Sequence, residues 1–248
     1  MKIIVCISSV PDTTSKINFI ENNTKFDTSG IQFVINPNDE FGLTKAMLIK
    51  EATGGSIKVI TVGDTNTEPV IRKALAIGAD SAVRINRVPT DSYSTAVLIA
   101  NYIKENPADL IITGKESLDY NGGAVPAMIA EILGLALING CNGLDISVTE
   151  ATLTREIDGG KETVKANLPL VIGGQKGLVE ESELRIPNMR GIMQARTRPL
   201  EIIEPEEIAD LTTSISFEKP AEKGKCKLVD PDNVEELVNL LHNEAKVI

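Results

Sequence analysis

The sequence predicts an α/β protein: a doubly wound, mostly parallel sheet with an extended C-terminal arm and a terminal helix. Three observations carry this reading. Five short runs rich in Val and Ile lack apolar/polar alternation: "KIIVCIS" from Lys2, "IKVITVG" from Ile57, "AVRI" from Ala82, "DLIITG" from Asp109 and "PLVIGG" from Pro169. Strands buried on both faces read this way, as in a parallel sheet covered by helices. Helical stripes with start and stop signals fall between the runs, which is the pattern of a doubly wound sheet. After about Gly140 that alternation ends, and a hairpin, an aperiodic stretch and one helix follow.

Each element has its own local cause. Asn36-Pro37-Asn38-Asp39-Glu40 gives a turn and a cap before "FGLTKAMLIKEA", which stops at Gly54-Gly55. Thr67 is positioned to cap "EPVIRKALAIG", with Pro69 in the first turn and Val70, Ile71, Ala74 and Leu75 on one face. Asp91 or Ser92 caps the next helix, which ends at Asn106-Pro107. Val125, Met128, Ile129, Ile132 and Leu133 form a further stripe before Gly134. "LDISVTEATLTREIDGGKETVKANL" reads as strands joined by a turn at Asp158-Gly159-Gly160. From Gln175 to Asp230 there is little periodicity and several prolines, which suits an arm lying on another surface. Asp232 and Glu235 have capping-box spacing before a final helix whose Val234, Leu237, Val238 and Leu241 face one way. The division expected is residues 1–185 as a nucleotide-binding domain and 186–248 as a partner-recognition loop, arm and terminal helix.

Composition excludes several functions. Lys plus Arg number 25 against 35 Asp plus Glu, a net charge of −10, which argues against nucleic-acid or anionic-membrane partners. No apolar run reaches the ~18–20 residues that span a bilayer, so no membrane insertion is expected. Cys6, Cys141 and Cys226 are far apart with no CxxC, so neither a disulfide framework nor a zinc or other metal site is expected, and a cytoplasmic setting fits. The single His, His242, lies near the end of the last helix and has no nucleophile motif to serve. GxSxG and Walker loops are absent.

The remaining chemistry is that of a nucleotide crevice. In doubly wound sheets ligands bind at the carboxyl ends of the strands, around the switch point. The segments from Cys6 to Asp12, Thr61 to Asp64 and Gly114 to Gly123 end there, with the Asn36-Pro37 turn beside them. In "GKESLDYNGGAVPAMIAE", from Gly114 to Glu131, Gly122 and Gly123 allow close backbone approach. Pro126 belongs in a first helical turn and sets the helix start near Gly122 or Gly123, where free N–H groups favour an anion. Asn121 is placed to cap that helix or meet a ribose. Taken alone, the loop leaves open whether its glycines serve a phosphate or only a turn with φ > 0.

Specific motifs resemble the β subunit of electron-transfer flavoproteins. "REIDGGKETVKANLPLVI", Arg155 to Ile172, closely follows that family's signature, with mild departures at Leu153 and Gly173. "VINPNDEFGLTKA", "IRKALAIGAD" and "RIPNMRGIMQARTRP" resemble its other conserved segments, so the likeness runs through essentially the whole chain. The resemblance implies an α-subunit partner, an FAD shared with that subunit, and a second nucleotide held in β: AMP in simple carriers, or a second FAD that accepts hydride from NADH in electron-bifurcating members. It carries cofactor binding onto Cys6, Asn36, Thr61, Asp64, Asn121, Gly122, Gly123, Ala124, Val125, Pro126, Ala127 and Met128. It carries dehydrogenase docking onto Met189, with Arg185 and Arg190 beside it. It implies an acyl-CoA or other flavin dehydrogenase as donor and a quinone oxidoreductase as acceptor. Within the loop, Ala124 lacks the usual amide and Gly122 the usual hydroxyl, so backbone N–H groups must stand in. No residue is implied to be catalytic; the chain reads as a carrier subunit rather than a stand-alone enzyme. The adenine-nucleotide α-hydrolases share this sheet, but "SSVPD" lacks the glycines of their first loop.

Overall fold

The computed structural model describes residues 1–248 apart from Lys223 and Lys225. In chain order its elements are β1 (Lys2–Cys6), β2 (Ser9–Pro11), β3 (Phe19–Ile20), β4 (Lys25–Phe26), β5 (Phe33–Ile35), α1 (Pro37–Thr53), β6 (Ser56–Val62), α2 (Glu68–Ile77), β7 (Ser81–Ile85), α3 (Ser92–Glu105), β8 (Leu110–Gly114) and α4 (Val125–Leu133). There follow β9 (Ala136–Ile146), β10 (Glu150–Ile157), β11 (Gly160–Asn167), β12 (Leu170–Gly174), α5 (Met189–Ala195), β13 (Leu200–Ile203) and α6 (Val234–Asn239).

The central sheet has 9 strands in the order β11-β10-β9-β12-β8-β1-β6-β7-β13. From β9 to β13 neighbouring strands run parallel, while β10 and β11 add an antiparallel hairpin at one edge. Strand β1 enters in the middle. The chain winds to one side through β6 and β7, then crosses to the other through β8. The switch therefore falls at β1, and the loops after β1, β6 and β8 share one edge.

Both faces of the sheet are buried, which is why its runs are unbroken by polar residues. Alternate side chains go to opposite layers. Ile3, Val5, Val59 and Ile112 pack toward α1 and α2, while Ile4, Ile60, Ile111 and Val171 pack toward α3 and α4. All five predicted strands are present, as is the turn between β10 and β11, where Ile157 pairs with Gly160.

Several local expectations are corrected. The stretch from Gln175 to Asp230 contains structure: a 3-10 turn at Glu181–Glu183, helix α5, and β13, which pairs with β7 as the far edge of the sheet. Thr67 makes no side-chain cap bond; Asp64 caps instead, accepting from Asn66 N–H at the 3-10 turn Thr65–Thr67 that leads into α2. The last helix is capped by Asn233 rather than Asp232, because Asn233 reaches the Glu236 N–H; it continues as a π-helical turn, Leu240–Ala245. Asn36 precedes α1 but gives it no side-chain cap.

Helix α5 is seated on α2 by close approach. A Cβ on Gly191 would overlap the Ala76 carbonyl. Arg72 Nη1 donates to the Ala195 carbonyl at 2.8 Å, and Arg198 Nη1 to Leu75 at 2.8 Å. Gly191→Ala should therefore lift α5 from α2 and cost about 1–3 kcal/mol, as overpacking does. Chemical denaturation measures the loss, and amide exchange should localise it to residues 186–198.

Candidate functional site

The carboxyl edge at the switch point is organised by one short segment, Asn36-Pro37-Asn38-Asp39. Pro37 starts α1 at its first position, where a missing N–H costs nothing. The Asn36 carbonyl accepts from the Asp39 and Glu40 N–H groups at 2.8 and 3.1 Å, which leaves the Asn36 side chain for distant work. Asn36 Nδ2 donates to the Glu116 carbonyl at 2.9 Å and to Asp39 Oδ1 at 3.0 Å, while its Oδ1 accepts from Leu118 N–H at 3.3 Å. Asn38 Nδ2 adds a bond to the same Glu116 carbonyl at 3.3 Å. The loop after β8 is thus held by the start of α1.

Asp39 ties in β1. It is 3% exposed, and its Oδ2 accepts from Ser8 N–H at 2.7 Å. Burial pushes its carboxyl up to about 7, against the hydrogen bonds from Ser8, Asn36 and Gly114, which pull the other way; Asp119 adds to the rise. Gly114 is required at the end of β8, because a Cβ there would overlap Asp39 Oδ1 and crowd Asn38 and Asn36. At the end of β6, Gly63 is held between two groups: its N–H donates to Ile85 O at 3.0 Å, and its carbonyl accepts from buried Arg84 at 3.0 Å.

The loop from Lys115 to Ala124 differs in detail from the expectation. Helix α4 begins at Val125, later than Gly122 or Gly123. Asn121 does not cap it. It adopts φ 50°, a left-handed conformation that asparagine tolerates, and so makes the turn that the glycines were expected to make. The Gly122 and Gly123 backbones stay in ordinary regions. Gly123 is needed for space: a Cβ there would stand 3.3 Å from the Lys115 carbonyl. Among the described residues, the N–H groups of Gly123, Ala124, Val125 and Ala127 have no hydrogen-bond partner in the chain. A row of free donors at a helix start suits an anion such as phosphate. This donor set fits a nucleotide without the absent side-chain amide and hydroxyl.

The structure brings Cys6, Asn36, Thr61 and Asp64 to the same edge as the run from Asn121 to Met128. Their side chains are differently engaged. Cys6 lies in the core beneath, its thiol raised by burial and by Asp39. Thr61 donates to Ile7 O at 3.1 Å. Asp64 is occupied by its cap. Met189, Arg185 and Arg190 lie elsewhere, on and before α5 at the other end of α1 and α2. Met189 is 75% exposed, and Arg185 pairs with Glu51 at 2.8 Å. Asn38, Asp39 and Gly114 were missed as site residues, because the sequence reads them as a turn, a first-turn acid and a strand end. The available signal was an acid, Asp39, two residues after Asn36-Pro37 in the first turn of the helix. Among the described residues no cluster of three His, Cys, Asp or Glu side chains could hold a metal ion.

The sign of the Asp39 linkage follows from its direction. Its folded-state value, about 7, lies above the unfolded value of 3.8, so the folded chain binds more protons between them. Stability therefore falls as pH rises from about 4 to about 7 and is flat above. In Asp39→Asn that component should vanish. The difference in Tm between wild type and variant, followed over this window, checks it.

The family model described as "Electron transfer flavoprotein domain" matches residues 23–208. The chain is 36% identical over 262 residues to "Electron transfer flavoprotein subunit beta" of Bacillus subtilis (strain 168), with 100% of both chains covered. It is 32% identical over 252 residues to the protein of that name from Syntrophomonas wolfei, covering 100% of this chain and 98% of the relative. It is 30% identical over 258 residues to "Electron transfer flavoprotein subunit beta, mitochondrial" of Oryza sativa subsp. indica, again over 100% of both. With its sheet and full-length likeness in agreement, the chain belongs to the electron transfer flavoprotein family as a subunit beta.

Proposed function

We propose that this chain works in a heterodimer with an α subunit, shuttling electrons from flavin dehydrogenases to an acceptor through an FAD at the α/β interface, while it keeps a nucleotide in its own crevice. The observation that carries the nucleotide reading is the loop after β8: four free N–H groups at the start of α4, on a loop braced by Asn36, Asn38 and Asp39. Residues fixed by buried side chains suit a ligand that is kept rather than turned over. Gly123, Ala124, Val125 and Ala127 would hold the phosphate through their backbone. Bound flavin would supply reversible electron transfer, and the chain's own contribution is to bind, orient and exclude water. The kept nucleotide is AMP in the simple-carrier reading. The bifurcating alternative requires a second FAD in the same crevice.

The partner-facing part comprises residues 186–248. Ile186, Met189 and Met193 are exposed around α5. Flexible, polarisable methionines suit a surface that meets more than one dehydrogenase, of acyl-CoA or other type, with a quinone oxidoreductase as the acceptor. Docking at one edge and the nucleotide at the other keep the two tasks apart. A reducing cytoplasm suits three free cysteines, two of them buried.

Co-expression with the α chain should give a yellow heterodimer, and this chain alone should be nearly colourless. Heat release followed by chromatography should yield one FAD and one AMP per heterodimer. Two FAD and no AMP would replace this reading with the bifurcating one, and steady ATP turnover by the pure chain would support the hydrolase alternative. Met189→Ala should lower kcat/KM with a dehydrogenase partner by about 30-fold, the effect of losing ~2 kcal/mol at an interface hot spot. Flavin content should be unchanged, which a flavin absorbance spectrum checks.

A further inference from the structure

Strand β7 carries one charge into the interior. Arg84 is 2% exposed and stands near the end of the strand, between Thr61 of β6 and Ile202 of β13. Its Nη1 donates to the Gly63 carbonyl at 3.0 Å and to Asn86 Oδ1 at 2.6 Å. Those two bonds fix the guanidinium across the ends of β6 and β7. The other two nitrogens are unused. Nε is buried without a partner, and among the described residues Nη2 makes no hydrogen bond.

No acid answers this charge. Among the described residues Arg84 forms no ion pair. The acids of the adjoining segments are engaged elsewhere: Asp64 by Asn66 at 2.9 and 3.0 Å, Glu68 by Arg72 at 3.2 Å, and Glu204 by Asn86 at 2.7 Å. A guanidinium cannot escape burial by losing its proton. A buried cation without a counter-charge is destabilising, and so is an enclosed N–H without an acceptor. Bracing two strand ends requires neither, since a neutral amide also donates to a carbonyl. The covalent shape of the group says what the unused part fits. Nε–H and one Nη2 N–H lie parallel along one edge, the fork that meets an oxyanion with two bonds at once.

We propose that Arg84 is the binding residue of a second oxyanion site, at the ends of β6 and β7, and that its ligand is a phosphate group. Ala82 packs with the α2 layer, and Arg84, two residues on, shares that face. The start of α2 adds its positive end there, so the local charge suits a phosphate, which carries more than one negative charge near neutral pH. With so little of the side chain exposed, the site admits one small group and not a whole nucleotide. It is separate from the donor row at the start of α4. Strands β8, β1, β6 and β7 are consecutive neighbours, so β7 stands three spacings from β8, about 14 Å away. One phosphate cannot touch both places. The inference goes beyond the nucleotide reading and does not depend on it. Two sources can supply the group: free inorganic phosphate, or the phosphate of a nucleotide lying along this edge.

Calorimetric titration of the full-length chain with inorganic phosphate, in the presence of excess AMP and against matched chloride, tests the site. Wild type should take up one phosphate, and Arg84→Met should bind it at least about tenfold more weakly. Arg84→Lys keeps the charge and loses the fork, so its affinity should fall between. Phosphate excluded by AMP, with AMP itself bound about tenfold more weakly by Arg84→Met, would assign the group to the nucleotide. Wild type and both variants alike in their response to phosphate and to AMP would overturn the site. The enclosed Nε–H gives a second readout that does not need Arg84→Met to fold. Its nitrogen–proton NMR signal, identified by its loss in Arg84→Lys, should shift when phosphate is added to the AMP-free wild-type chain. An unmoved signal would overturn the site. A chain that takes up no AMP yet binds one phosphate through Arg84 would remove the nucleotide reading and leave this site standing.

Discussion

A single buried carboxylate holds the working edge of this protein together. Among the described residues Asp39 has no ion-pair partner, and its carboxyl is met by hydrogen bonds from the end of β1, the end of β8 and the Asn36 amide. Burying a charge on such terms is costly, and it persists only where every lone pair has a donor. That condition propagates outward. Gly114 must be glycine to let the carboxylate in, Asn36 must turn away from capping α1, and the loop after β8 must approach close enough to be held. The free N–H groups at α4 stand where they do because the loop behind them is fixed.

The molecule keeps its two candidate sites at different edges. The loop after β8 lies where the strands end, and α5 with its exposed methionines lies at the far end of the helices that cover one face. The arm is fastened to the β7–α3 loop and to the β3–β4 hairpin.

The sheet was legible because burial on both faces leaves an unmistakable run of Val and Ile, and the β10–β11 turn because Asp-Gly demands it. What the sequence hid was long-range or short. Asn36 reads as a cap since Asn-Pro begins many helices; that its amide serves Glu116, 80 residues on, has no local signal. Strand β13 is four residues between Pro199 and Pro205 with Ile202 exposed, so nothing in its pattern distinguishes an edge strand from a loop. Asn121 was misread because asparagine suits both a cap and a left-handed turn, and the geometry of the loop decided between them.

Strand β13 also bears on how the chain is made. Until residues 200–203 leave the ribosome, β7 is an open parallel edge, with its hydrogen-bonding groups unpaired and a buried-type sequence exposed to any neighbouring nascent chain. Residues 204–212 emerge after β13, directly beside the β7–α3 loop that holds them. Closure of the sheet edge therefore precedes the fastening of residues 204–212 to the β7–α3 loop.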